Sequence, residues 1–462
     1  MKSTDARIRI ILALLFAIRL FHITLPPIEI SHNWRQTTSL MVARNFYQQE
    51  ANVFYPRIDD CGDKTGIVGM EFPLLSYSIY IVSVFFGYDH WYGRLVNLIV
   101  VTIGLWFFYR LTGLYFEKRI AFFATVALAF SALFHLARKV MPDPMALSLI
   151  TIGLYFGVQF LMQGKWRYLA GYFLFALAGA LVKIPFGIYL ALLIFPLFRS
   201  TIGITRKGAF VFLSSVILML VYGWYFIWNT MLSEKYGLWY NSGRTWQEGW
   251  TEFFAEPFQT LERFYFNAFH GYLFFGLVLS GLILAIARRQ KVLLWSVLLC
   301  IPFFVVYMIR SGYLFYHHGY YVLVMVPLMA LLAGYAFALM PKRLAIGLLV
   351  LCAVESVANQ QHDFFIRGKE FSKLQLTEIA ASVSNPEDRV SLEADSFNPN
   401  EFYFLNRKGW LSPRAEITPS YLRALARLGC RYAFLHGDRP DLKQEFDTVF
   451  ENHEYLVLRL VP

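Results

Sequence analysis

Residues 8–36 read Ile-Arg-Ile-Ile-Leu-Ala-Leu-Leu-Phe-Ala-Ile-Arg-Leu-Phe-His-Ile-Thr-Leu-Pro-Pro-Ile-Glu-Ile-Ser-His-Asn-Trp-Arg-Gln, and their order decides the fold class. An apolar run from Ile8 to Leu25 follows Arg7 and Arg9, has no small-residue cleavage site, and stops at Pro26-Pro27. That pattern is an uncleaved first membrane span with its basic end in the cytosol. The polar run that follows is the start of a long outer loop. The whole chain agrees with this beginning: of 462 residues, 57% are hydrophobic, 18% aromatic and only 16% charged, with a mean hydropathy of +0.47. Such a composition excludes a soluble globular protein and defines a polytopic membrane protein.

A helix needs roughly 20 apolar residues to cross the hydrocarbon core. Eleven spans are expected, at about 8–25, 92–109, 119–136, 145–162, 167–183, 185–198, 208–229, 270–287, 292–309, 318–339 and 343–359. Leu74 to Gly87 is apolar but short, and reads as an interfacial or re-entrant helix. Leaving it out puts Lys2, Arg7, Arg9, Arg110, Lys118, Arg119, Lys165, Arg167, Arg199, Arg206, Lys207, Arg288, Arg289, Lys291, Lys342 and Arg343 on one side, against Asp5 and Glu117 alone. This is the asymmetry of cytosolic loops. The other side receives the long loops 26–91 and 230–269 and the C-terminal segment.

The net charge of +11 does not point to nucleic acid. Residues 360–462 carry 13 basic and 15 acidic side chains, leaving 29 basic and 16 acidic in residues 1–359, so the excess lies in loops of an apolar body. The last segment reads as a small extracytosolic α/β domain, with helix over 369–384, strand 389–393, helices near 399–405 and 419–428, strand 431–436, and a hairpin over 448–460. It carries no catalytic motif, and the plainest reading is a lid or docking module. Domains are accordingly expected at 1–359 and 360–462. Cys61, Cys300, Cys352 and Cys430 share no metal-binding spacing; only a Cys61–Cys430 disulfide is geometrically open.

The first outer loop holds Glu29-Ile-Ser-His32-Asn-Trp34-Arg35-Gln36, then Arg57-Ile-Asp59-Asp60, then Glu71-Phe-Pro-Leu. An acid, an imidazole, a guanidinium and an amide beside the end of a span offer a general base and fixed donors for a phosphate-bearing substrate. The structural alternative is a helix cap with Trp34 as an interfacial anchor. Arg138, Lys139 and Asp143 follow the third span, Lys183 ends the fifth, and Arg310, His317 and His318 lie between the ninth and tenth. Each cation alone reads as snorkelling, but several on one face make a cradle for a lipid phosphate or pyrophosphate. Arg19 and Glu355 are intramembrane ions for which pairing and function weigh equally.

The order of these features resembles the polyprenyl-phosphate-sugar-dependent glycosyltransferases of the GT-C fold, which include protein O-mannosyltransferases and the lipid A aminoarabinose transferase. The resemblance covers most of residues 1–340. It rests on the long first loop, Glu71-Phe-Pro-Leu, Gly93-Arg94-Leu95, Met141-Pro-Asp143-Pro, Val182-Lys183-Ile-Pro, and His317-His318-Gly-Tyr320-Tyr with a later Pro327. His32-x-Trp34-Arg35-Gln36, Ala43-Arg-Asn-Phe-Tyr and Phe54-Tyr-Pro-Arg57-Ile-Asp59 look like a bacterial subgroup.

The resemblance implies transfer of a sugar, with inversion, from a polyprenyl-phosphate donor to a glycan, lipid or protein acceptor at the outer face of the bacterial cytoplasmic membrane. In such enzymes an Asp of the first loop, often in an acidic pair, is base or metal ligand; here His32-Asn33 stand in that neighbourhood and Glu29 is the nearest acid. Glu29 or Glu71 is then the expected base, with His32 as the alternative and Asp143 orienting acceptor or sugar, all meeting in one cavity. Arg35, Arg138, Lys183 and Arg310 are expected to hold phosphate, and Trp34, Gln36, Arg57, Asp59, His317, His318 and Tyr320 to contact substrate. A divalent Mg or Mn ion through Glu71, Asp143 and a histidine remains open. The other reading is a polyprenyl-lipid flippase or transporter, against which the unbroken spans and the one-sided polar residues weigh. A reporter fused after Pro462 is expected to be active only outside the cytosol; activity confined to the cytosol overturns the eleven-span topology.

Overall fold

The computed structural model describes residues 2–29, 31–239, 243–394 and 398–461. The first helices are α1 (Lys2–Arg19), α2 (Asn33–Gln48), α3 (Leu74–Phe86), α4 (Tyr92–Thr112), α5 (Lys118–Ala129), α6 (Leu133–Leu136), α7 (Pro142–Gln163) and α8 (Trp166–Val182). The chain forms two compact units. One comprises Met1–Ile23, Arg94–Tyr225 and Ser242–Phe364; the other comprises Thr24–Gly93, Phe226–Asn241 and Phe365–Pro462.

Among the described residues, five helices are long and apolar enough to cross a membrane: α4, α7, Ile204–Tyr236, Lys291–Ser311 and Lys342–Phe364. Pro257–Asn267 and Tyr272–Ala287 make a sixth if the pair, bent by 92°, is one span. The expected spans at 167–183, 185–198 and 318–339 are shorter apolar helices, as is α3 with 13 residues. The expected span 119–136 breaks after α5, where Ala132 donates its N–H to Ala268 O rather than continuing the helix.

In the first unit α7 is the central helix, with 89% of its apolar window buried. Small residues let α8 approach it closely: a Cβ on Gly153 would stand 2.7 Å from the Ala176 nitrogen, and one on Gly179 would stand 2.8 Å from the Ile150 nitrogen. The antiparallel register set by these contacts carries Lys183, one turn beyond Gly179, to the same end of the pair as Asp143.

That end is organised by buried ions. Arg19 donates to Ala129 O at 2.6 Å and Phe134 O at 3.0 Å, the carbonyls that end α5 and line α6. Arg138 donates to Arg19 O, Phe21 O and Asp363 O, and lies 4.3 Å from the centroid of the Phe364 ring. Both arginines are 1% exposed. Lys139, fully buried, pairs with Asp363 at 2.5 Å. Glu355 accepts the N–H groups of Tyr272 and Leu273 at 3.0 and 3.1 Å and so caps the start of Tyr272–Ala287. These side chains satisfy the groups that a helix leaves unpaired at its ends, which matters most where water is scarce.

The second unit holds α2, α3 and a five-stranded sheet of β1 (Arg389–Ala394), β2 (Gly409–Pro413), β3 (Cys430–His436), β4 (Asp447–Glu451) and β5 (Tyr455–Arg459), in the order β2-β1-β3-β5-β4. The first three strands are parallel, while β5 runs antiparallel to both β3 and β4. The expected tail elements are present with small shifts at their ends, except that the expected helix 369–384 is a 3-10 helix, Gly368–Leu374, followed by an α-helix, Gln375–Val383. Strand β2 is the addition: Gly-Trp-Leu-Ser-Pro is too short and too rich in turn formers to read as a strand. The disulfide does not form. Cys430 is packed in the core of the sheet with Ile417 and Leu422, and Cys61 turns its thiol to Lys64 O.

Replacing Asp363 by Ala strands the Lys139 ammonium without its counter-ion, a loss of about 3–5 kcal/mol. Thermal unfolding in detergent is expected to show it as a large fall in melting temperature. A change below about 0.5 kcal/mol, the size of a surface effect, overturns this structural role.

Candidate active site

In the second unit the first long loop enters α2 through His32, whose backbone is left-handed at φ 63°. This turn brings Glu29 back against the first turn of the helix. Gln36, fully buried, donates its amide to Glu29 Oε2 at 3.2 Å, and Glu29 is itself buried. The neighbouring Arg35 forms an ion pair with Glu71, both largely buried. The two carboxylates therefore converge on adjacent residues near the N-terminus of a 16-residue helix, where the helix dipole favours negative charge. Trp34 is exposed and Asn33 accepts the side-chain amide of Asn398 at 3.1 Å.

Further along α2, Arg44 pairs with Asp59 at 2.7 Å, Asn45 donates to the same carboxylate at 2.8 Å, and Arg44 also donates to Tyr403 O. Asp59 is thus fully engaged by a buried network that ties the loop to α2 and the tail. Arg57 pairs with exposed Glu50 at 2.6 Å, a surface contact of small worth.

In the first unit, Asp143 is the second residue of α7, 3% exposed, with Oδ2 closed off from solvent and lacking a hydrogen-bond donor. Asn97 fixes the approach to it by donating to Lys139 O and Met141 O at 2.8 and 3.0 Å. The hydroxyl of Tyr307 lies within electrostatic reach of Asp143, Tyr320 and Tyr321. Tyr321 stacks on Tyr307 with centroids 5.8 Å apart, and His318 stacks on Tyr321 at 5.7 Å. His317 packs edge-on against His318.

The cations divide by surroundings. Lys183, half-buried at the end of α8, has no ion-pair or hydrogen-bond partner for its ammonium among the described residues. Arg310 is exposed at the end of Lys291–Ser311, its guanidinium 6.0 Å from the centroid of Trp246. Arg138, expected on phosphate, donates to three carbonyls at helix ends. Arg263 was not anticipated. It sits on a π-turn, bonded to Asn267, with Nε buried and unpaired, against the backbone at Gly319. Its one sequence signal is a cation in an aromatic run, Arg-Phe-Tyr-Phe. Among the described residues no three of His, Cys, Asp and Glu cluster as metal ligands.

Asp60 was also missed. Its Oδ1 is buried without a partner, and burial, with the charge of Asp59 added, pushes its carboxyl up to about 7. Burial likewise raises the Cys61 thiol to about 11, which leaves it inert. Asp60 binds a proton in the folded chain up to about pH 7 but releases it in the unfolded chain above about pH 4. Folding stability therefore falls as pH rises through that window. Asp60→Asn is expected to melt increasingly above the parent chain between pH 4 and pH 8; a difference independent of pH overturns the assignment.

Residues 70–228 match the family model described as dolichyl-phosphate-mannose-protein mannosyltransferase. No curated protein matches the sequence significantly. Among solved structures, the chain is similar to ArnT from Cupriavidus metallidurans bound to undecaprenyl phosphate, with a TM-score of 0.63 and 12% identity over 98% of this chain and 97% of that one. The same protein in the apo state gives 0.64 and 13% over 97% of each. The oligosaccharyltransferase of Archaeoglobus fulgidus in its apo form gives 0.56 and 10%, over 92% of this chain and 69% of that one. At such identities the likeness is one of architecture, and it runs nearly end to end: the chain is a polytopic membrane protein with the GT-C fold.

Proposed function

We propose that the chain is an inverting glycosyltransferase that moves a sugar from a polyprenyl-phosphate donor to a glycan, lipid or protein acceptor at the outer face of the cytoplasmic membrane. The observation that carries this reading is the near-complete overlap with a fold that, in ArnT, holds undecaprenyl phosphate. Side chains suited to each chemical need are present in the chain.

The acceptor hydroxyl attacks the anomeric carbon, the bond from that carbon to the phosphate oxygen breaks, and the hydroxyl proton passes to a base. Glu29 is the base. Its partner Gln36 is a neutral amide that orients the carboxylate and leaves its charge in place. Glu71 is held by the Arg35 guanidinium at Oε1 and positions the start of α2. Asp143, at the dipole-stabilised start of α7 with an unpaired oxygen, accepts hydrogen bonds from sugar or acceptor hydroxyls. Lys183 and Arg263 neutralise the departing lipid phosphate, each a cation with unspent donors.

Glu29→Gln is expected to abolish turnover while donor still binds, and Lys183→Ala to lower donor affinity or rate by about 1.5–3 kcal/mol, roughly tenfold to a hundredfold. Arg138→Ala is expected to lower thermal stability instead. The measurement is sugar transfer by the purified chain from polyprenyl-phosphate-linked sugars, supported by mass spectrometry of envelope glycans with and without the gene. Turnover near the parent rate in Glu29→Gln removes the carboxylate base. Unchanged lipid-linked sugars and glycans without the gene remove the activity.

A further inference from the structure

In the first unit a cleft with about 740 Å³ of empty space, its open side included, lies among α4, α7, the 3-10 helix Ile184–Leu193 and the helices Lys291–Ser311 and Val326–Leu339. Phe108, Leu154, Val158, Leu192 and Leu331 give it hydrocarbon walls. Three polar groups of the lining are spent on backbone carbonyls: Thr151 is bonded to Leu147 O, Ser296 to Val292 O and Tyr189 to Val324 O. Three of the surrounding helices are long and apolar enough to be spans, so the medium at the opening is lipid. The cleft sits toward the end of α7 remote from Asp143. Fifteen residues separate Asp143 from Val158, about 22 Å along a helix axis.

That end carries the basic loops, and two cations flank the cleft. Arg199 follows the lining residue Phe195 by one turn and lies within electrostatic reach of Tyr115, another lining residue. Lys291 immediately precedes Val292, also in the lining. Both are exposed, and neither has an ion-pair partner among the described residues. Their neighbours are spent by contrast: Arg110 bonds Tyr155, Arg119 bonds Met340 O and Arg206 bonds Leu161 O.

We infer that the cleft is a binding site for one anionic phospholipid, with an acyl chain between the helices and its phosphate held by Arg199 and Lys291. Charge complementarity selects an anionic head over a zwitterionic one. The donor lipid does not suit the site, because its head would then lie a large part of a membrane thickness from Asp143 and Lys183. The site is independent of any transfer reaction, and its test does not use activity.

Native mass spectrometry of the purified full chain in detergent, titrated with phosphatidylglycerol, phosphatidylcholine or undecaprenyl phosphate, decides it. The parent chain is expected to retain one phosphatidylglycerol at least tenfold better than phosphatidylcholine. The double variant Arg199→Glu/Lys291→Glu, changed only at exposed positions, is expected to lose at least fivefold in phosphatidylglycerol retention with phosphatidylcholine unchanged. Val158→Trp, which fills the cleft, is expected to lower it further where that variant folds. Equal retention of phosphatidylglycerol by the parent and the double variant overturns the proposal. So does displacement of phosphatidylglycerol by undecaprenyl phosphate at equal concentration, which would make the cleft a donor site.

Discussion

The ends of helices in an apolar medium are the constraint on which the first unit depends. The first four N–H groups and the last four carbonyls of a helix lack partners within it, and in lipid no water makes up the deficit. This chain answers with ions: Arg19 and Arg138 lie on the carbonyls that end α1, α5 and Lys342–Phe364, and Glu355 lies on the N–H groups that begin Tyr272–Ala287. Because the arginine contacts join segments more than a hundred residues apart in sequence, they also fix the loop from Phe130 to Met141. Asn97 then holds the last residues of that loop, and Asp143 follows at a defined place.

This is also why part of the site was illegible in the sequence. Hydropathy and loop charge identify a cation at the end of a span, but they do not tell one spent on backbone carbonyls from one left for a ligand. Arg138 and Lys183 look alike on paper, each ending an apolar run beside a proline. The structure separates them, since Arg138 is buried with its donors engaged and Lys183 is half-buried without a partner among the described residues. Arg263 was overlooked for the converse reason: it follows Glu262 at the start of the aromatic run Phe264-Tyr-Phe, where adjacent opposite charges read as part of an amphipathic connector.

What was legible has a long-range signal. Apolar runs of span length stood out, and the tail elements followed from periods of 2 and 3.6 residues. The break after α5 was not visible, because a single Ser131 between Phe130 and Ala132 is no breaker by itself; in the fold its hydroxyl bonds Leu128 O and accepts the Leu133 N–H, while Ala132 donates to Ala268 O. The convergence of Glu29 and Glu71 was anticipated as a possibility of the loop. What sequence alone did not show is the means, two adjacent residues of α2 that each hold one acid.

In the second unit the first long loop and the C-terminal segment share one compact body. Arg44 joins Asp59 of the loop to Tyr403 of the tail, Asn398 bonds Asn33, Asn400 bonds Pro27 O, and the Gly62 N–H donates to Gly409 O. Gly409 has no room for a side chain, since a Cβ there would collide with Val390 O. Two of these contacts fall at Pro27 and Asn33, on either side of Glu29. A loop of nearly seventy residues carries a large conformational entropy, and the base proposed on it is useful only if that freedom is removed before substrate arrives. Asn398, Asn400 and Tyr403 of the tail, with Gly409 at the edge of its sheet, supply partner groups to the loop on both sides of Glu29, contacts that need no catalytic motif in the tail.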